Sequence, residues 1–170
     1  ALLLSMKKII LLFILIPSIS FAASMSMIGE KGDPTEVVRV IKVKMYDNYY
    51  EPSEFKIKKN ETIKFVVFNH GEFVHEFNIA TKEMHLKHQT EMMMMVENEI
   101  LLADRIDKKK MKELSKKDNS MSHSHSNSVL IEPNESAEII WKFNTEAELE
   151  VACNVPSHYE AGMIAKINNM

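Results

Sequence analysis

Only one cysteine, Cys153, occurs in the 170 residues, so no disulfide can form within the chain. Glycine is scarce as well. Four residues leave few sites for tight glycine turns. Positive charge is not in excess: 21 Lys and Arg face 24 Asp and Glu, and the net charge is −3. That balance gives no electrostatic case for nucleic-acid binding. The longest early apolar run, Ile9 to Ile16, is short for a bilayer span. No internal repeat is visible. A hydrophobic content of 45% argues against general disorder, and the length suits one domain with a sizeable core. What the chain does have is methionine, thirteen in all.

The N-terminal segment reads as a targeting signal. Met6-Lys7-Lys8 is a short basic region, Ile9 to Ile16 is the apolar run, and Pro17 breaks it. Ser20 and Ala22 supply small residues where a signal peptidase reads. The expectation is a signal peptide over residues 1–22, with translation starting at Met6 and cleavage after Ala22. A membrane anchor is the alternative, but no stop-transfer pattern follows. The mature chain, residues 23–170, is then expected in the periplasm with no membrane span. In an oxidising compartment a lone thiol must be buried and inert, bridged to another chain, or bound to a metal.

The mature chain alternates like β-structure. Val37–Tyr46, Phe55–Ile57, Thr62–Phe68 and Phe73–Ala80 are rich in β-branched and aromatic residues and are separated by polar turns. The pattern resumes at Ser128–Ile131, Ser136–Phe143, Leu149–Cys153 and Gly162–Ile167. Seven or eight short strands imply an all-β sandwich of two antiparallel sheets. Residues 81–127 interrupt it. Lys82 to Lys117 has no Gly or Pro and is full of good helix formers, so a helical insertion is expected there. Lys116 to Asn127 is polar and serine-rich, and reads as a mobile end to the insertion.

Near the C-terminus, Cys153, His158 and Met163 recur at five-residue intervals in CNVPSHYEAGM, a loop joining two expected strands. A further histidine, His75, lies far upstream on another strand. A thiolate and two imidazoles in a plane, with a weak axial thioether, make an electron-transfer copper site. Zinc suits the set less well, because thioether is a poor zinc ligand. Each residue alone has a plainer reading: a core histidine, a packing methionine, a small buried thiol. A cysteine nucleophile with a histidine base is a third possibility, but no oxyanion-stabilising motif accompanies it.

The Cys-x4-His-x4-Met loop with its upstream His resembles the cupredoxins, such as plastocyanin, azurin and rusticyanin. The resemblance covers the mature chain apart from the insertion. It implies a Greek-key β-sandwich with a type 1 copper site: His75 and His158 as equatorial nitrogens, Cys153 as equatorial sulfur, Met163 as axial ligand. Glu76 follows the first His where several members carry Asn, which leaves open what ties the two ligand loops together.

The insertion crowds Met84, His85, His88, Met92, Met93, Met94 and Met95 together. On a helix His85, His88, Met92 and Met95 share one face, with Met84 beside it. Such a face, together with Met121, His123 and His125, could take additional Cu(I) through soft ligands. It could equally be a methionine stripe packed on the sandwich. The motifs His75-Glu76-Phe77-Asn78, Met84-His85, His88 and Glu91-Met92 look similar to periplasmic copper-tolerance cupredoxins of the CopI type. That likeness implies copper binding, buffering or redox handling under copper excess. The alternative is a soluble electron carrier with a redox partner protein. An enzyme is less expected, since His123-Ser124-His125 is the lone His-x-His pair and multicopper oxidases use several, though a cuprous-oxidase-like activity stays open.

Overall fold

The computed structural model describes residues 27–170; the expected leader, residues 1–22, lies outside the described residues. Among the described residues, ten strands form two five-stranded sheets. They are β1 (Glu30–Lys31), β2 (Arg39–Tyr46), β3 (Tyr49–Glu51), β4 (Glu54–Ile57), β5 (Thr62–Asn69), β6 (His75–Ala80), β7 (Ser128–Ile131), β8 (Ser136–Lys142), β9 (Glu150–Ala152) and β10 (Ile164–Asn169). One sheet runs β1-β8-β5-β2-β3 and the other β4-β10-β9-β6-β7. The sheets are mixed rather than purely antiparallel as expected: β2 pairs parallel to β5, and β4 parallel to β10. The chain passes to the second sheet for β4, returns to the first for β5 and passes back for β6, which places sequence neighbours in opposite layers.

Period-two alternation builds the core. Ile63, Phe65 and Val67 of β5 are fully buried, while Lys64, Val66 and Phe68 between them are half-buried. Phe65 meets Phe77 of the facing sheet with ring centroids 5.2 Å apart. Tyr50 reaches across the sandwich, and its hydroxyl donates to the Glu76 carbonyl at 2.6 Å.

The insertion between β6 and β7 is not one helix. Helix α1 covers Lys82–Glu97 and α2 covers Lys108–Leu114, with a bend between them. Thr81 caps α1 by accepting from the Met84 N–H. Asn98 closes it, and Glu99 turns the chain with φ of 54°. Ile100 and Leu101 then bury themselves with Val74, Met92, Met95 and Met121 in a second, smaller core. The tail expected to be mobile instead forms a 3-10 turn, Asn119–Ser122, whose Met121 joins that core.

This packing explains why all six residues of β6 are buried. Strand alternation puts His75, Phe77 and Ile79 on one face and Glu76, Asn78 and Ala80 on the other. Without the insertion the second face would meet water. With it, Glu76 is sealed in.

Candidate metal centre

β6 supplies His75, β9 runs directly into Cys153, and the loop from β9 to β10 carries His158 and Met163. The loop is folded by its own backbone. The His158 N–H donates to the Val155 carbonyl at 2.9 Å, and the Met163 N–H donates to the His158 carbonyl at 3.0 Å. Gly162 has φ of 89°, a left-handed conformation that favours glycine, and it turns the chain into Met163. The Cys153 N–H then donates to the Met163 carbonyl at 3.2 Å. Met163 is fully buried in the main core with Cys153.

His75 Nδ1 lies 3.2 Å from His158 Nδ1, and Cys153 Sγ lies 3.9 Å and 3.4 Å from those two nitrogens. Nitrogen and sulfur donors about 2.0 and 2.3 Å from one first-row ion stand roughly 3.2–3.9 Å apart for bond angles near 105–130°. The trio therefore fits a single ion held in a near-trigonal plane. Burial pushes the Cys153 thiol well above its ordinary range, with N–H groups of Glu76 and Val155 offsetting part of that. Burial also lowers His75 and His158, so both rings favour the neutral, metal-ready form.

Asp47, just beyond β2, sets the orientation of His75. Its Oδ1 accepts from His75 Nε2 at 2.9 Å, which leaves Nδ1 as the lone-pair nitrogen. Asp47 is itself held by the N–H groups of Glu72 at 3.1 Å and Phe73 at 3.4 Å. Burial works upward on the Asp47 carboxyl, but the His75 hydrogen bond and these N–H groups outweigh it and hold it low. Gly71 makes room: a Cβ there would sit 2.2 Å from Asp47 Oδ1 and 2.9 Å from His75 Nε2.

Glu76 answers what ties the two ligand loops. Its N–H donates to Cys153 Sγ at 3.3 Å. Its Oε2 accepts from the N–H of Asn154 at 3.1 Å and from Asn154 Nδ2 at 2.8 Å. Its Oε1 accepts from His88 Nε2 at 2.9 Å, His123 Nε2 at 2.8 Å, Asn78 Nδ2 at 3.1 Å and Ser128 Oγ. Burial alone would raise this carboxyl, yet His123 and His88 hold it well below the ordinary range. Burial opposes charge on His88 too, but Glu76 and Glu91 push its pKa up to about 10.

The structure divides the insertion's candidate residues. Met92, Met95 and Met121 pack in the second core, and Met84 lies half-buried against the main one. His85 is buried, with Nδ1 accepting from Asn154 Nδ2 at 3.1 Å and Nε2 donating to the Glu150 carbonyl at 3.4 Å. His88, His123 and His125 converge, with one ligand atom from each inside a 4.8 Å group. Sequence reasoning missed the parts played by Asp47, Glu76, Glu91 and Asn154. Glu76 carried a signal, since it directly follows His75 and so must face away from the sandwich core.

A family model for the cupredoxin-like domain matches residues 9–105. The copper-resistant cuproprotein CopI of Pseudomonas aeruginosa is 34% identical over 145 residues, covering 82% of this chain and 80% of that protein. CopI of Rubrivivax gelatinosus is 29% identical over 140 residues, covering 82% of this chain and 71% of that protein. Among solved structures, reduced auracyanin from Roseiflexus castenholzii superposes with a TM-score of 0.55 at 15% identity, covering 79% of this chain and 98% of that one. At that identity the likeness concerns the fold.

Proposed function

This chain belongs to the cupredoxin-like family, and from that premise we propose that it is a copper-binding protein of copper tolerance, working in the periplasm. The copper-resistant cuproproteins to which it is similar support the tolerance role. The observation that carries the reading is the trio of His75, Cys153 and His158, the first two buried and the third half-buried, whose donor atoms lie within 4.8 Å of one another. Met163 is the proposed axial donor, a fully buried residue at the end of the same loop, paired through its backbone with Cys153.

His75, Cys153 and His158, with Met163, would hold copper, and the ion would supply one-electron chemistry there. The chain's own residues supply the rigidity. Asp47 fixes the ring of His75, the Glu76 N–H tethers the sulfur, and the sandwich core fixes both strands. The leader-like residues 1–22 motivate the periplasmic assignment.

A second reading, electron transfer to a partner protein, has its own observation. His158 borders an apolar cavity of about 350 Å³ lined by Phe73, Val96, Leu101, Val155 and Pro156. Phe73 is 45% exposed there, so an apolar partner surface would meet the ligand edge. Deleting the gene separates the two. Tolerance requires growth failure in high copper with respiration intact. A strain that grows normally in copper but loses respiratory electron flow would establish the carrier instead.

A further inference from the structure

We propose that His88, His123 and His125, with the carboxylate of Glu76, form a second metal site, distinct from the cysteine centre and built for a divalent first-row ion. In a protein that handles copper, that ion is Cu(II); this choice rests on the function proposed above, while the site itself rests on geometry.

Three features point to a site rather than a hydrogen-bond cluster. The first is spacing. His88 Nε2 and His123 Nε2 are 3.3 Å apart, and Glu76 Oε1 lies 2.9 and 2.8 Å from them. Two nitrogens bound about 2.0 Å from one ion in tetrahedral geometry stand about 3.3 Å apart. The second is crowding. Oε1 is approached by His88, His123, Asn78 and Ser128 together, while a carboxylate oxygen offers about two lone-pair positions. An ion bonded to both rings would replace two of those competing N–H donors. The third is charge. Glu76 is fully buried, and Glu91 contacts the same His88, lying 3.4 Å from its Nδ1 and accepting from His125 Nε2 at 2.9 Å. One divalent ion would balance the charge of both carboxylates.

The donor types select the metal class. The groups that converge on Glu76 Oε1 and Glu91 among the described residues include the imidazoles of His88, His123 and His125, while Met92, Met95 and Met121 pack with one another in the second core. Nitrogen and oxygen donors suit Cu(II) better than Cu(I). The fold builds the pocket deliberately from three separate pieces. His88 comes from α1, His123 and His125 follow the 3-10 turn, and Glu76 comes from β6. His123 adopts φ of 45°, a left-handed conformation uncommon outside glycine, and this directs the chain between the two histidines. Glu91 contacts His88 and His125 from the far side, as a partner that holds ligand rings in place. Glu76 lies next to His75 in the chain, so the second site abuts a ligand of the first.

The full-length protein titrated with Cu(II) tests this. Two equivalents are expected to bind. Cys153→Ser should retain one equivalent, with no intense visible band and a paramagnetic signal split by several nitrogens. His123→Ala combined with His125→Ala should reduce binding from two equivalents to one while the thiolate-to-copper band remains, which also shows that the variant is folded. The site is refuted if Cys153→Ser binds no Cu(II), or if the double histidine variant still binds two equivalents. Should the parent protein bind one equivalent in the histidine cluster and never show the thiolate band, the function proposed above fails and this site stands.

Discussion

Replacing Asp47 with alanine removes the carboxylate that accepts from His75 Nε2 at 2.9 Å. The carboxylate is only partly sheltered, with 34% side-chain exposure, so water takes over part of the hydrogen bond. Removing a partner of a metal-bound histidine costs about 10–100-fold in metal affinity, and the exposure places this case near the lower limit. The expected weakening is about tenfold, or about 1.4 kcal/mol. Asp47→Asn separates orientation from charge. Its Oδ1 still accepts from His75 and from the Glu72 and Phe73 N–H groups, so affinity should stay closer to the parent. Loss of the negative charge near His75 favours the reduced ion, so the reduction potential of Asp47→Asn should rise. The assay is competition for copper against a chromophoric chelator at fixed ionic strength, followed by redox titration. An alanine variant that binds as tightly as the parent would refute the orienting role of Asp47.

Met163→Leu should keep copper and raise the reduction potential, because a weak donor to the oxidised ion is lost; a fixed or lowered potential removes Met163 from the axial position. Met92→Ala should cost about 2–5 kcal/mol of unfolding free energy with the copper count unchanged, since its fully buried side chain packs rather than binds. Denaturant unfolding and metal analysis of the same preparation check both halves. Gly71→Ala puts a methyl group 2.2 Å from Asp47 Oδ1, so it should destabilise by about 1–3 kcal/mol and weaken copper binding as Asp47→Ala does. In the metal-free protein the depressed Glu76 carboxyl contributes stability above its unfolded value, near 4.5, and loses it on acidification. The raised His88 contributes fully below about 6.5 and loses its share as the pH climbs through about 10. Thermal midpoints measured across pH should therefore peak between those two unfolded values, and Glu76→Gln should flatten the peak.

The sandwich was legible because its strands alternate so regularly. Ser128–Ile131 and the run from Thr62 match the observed β7 and β5 within a residue. The cysteine loop was legible because its ligand types recur in one short stretch beside a β pattern. Less could be read where local chemistry gave no sign. β3 was missed because Glu51-Pro52 reads as a turn, and Tyr49–Glu51 is short. The break after α1 was missed because Glu99, not glycine, takes the left-handed conformation, and no proline marks it. The tail at 116–127 looked like solvated chain, yet Met121 finds the second core and carries His123 with it. On one helix face the methionines and histidines would stand together, whereas packing separates them: Met92 and Met95 into the second core, His88 onto Glu76 and His85 onto Asn154. That separation depends on long-range contacts of the insertion with β6, which no local pattern encodes.

The visible absorption spectrum of the Cu(II)-loaded protein, compared with that of Cys153→Ser, tests the central claim most directly. The parent should show an intense thiolate-to-copper band that vanishes in the serine variant. A parent without the band, or a serine variant that keeps it, would show that Cys153, His75 and His158 do not hold copper together.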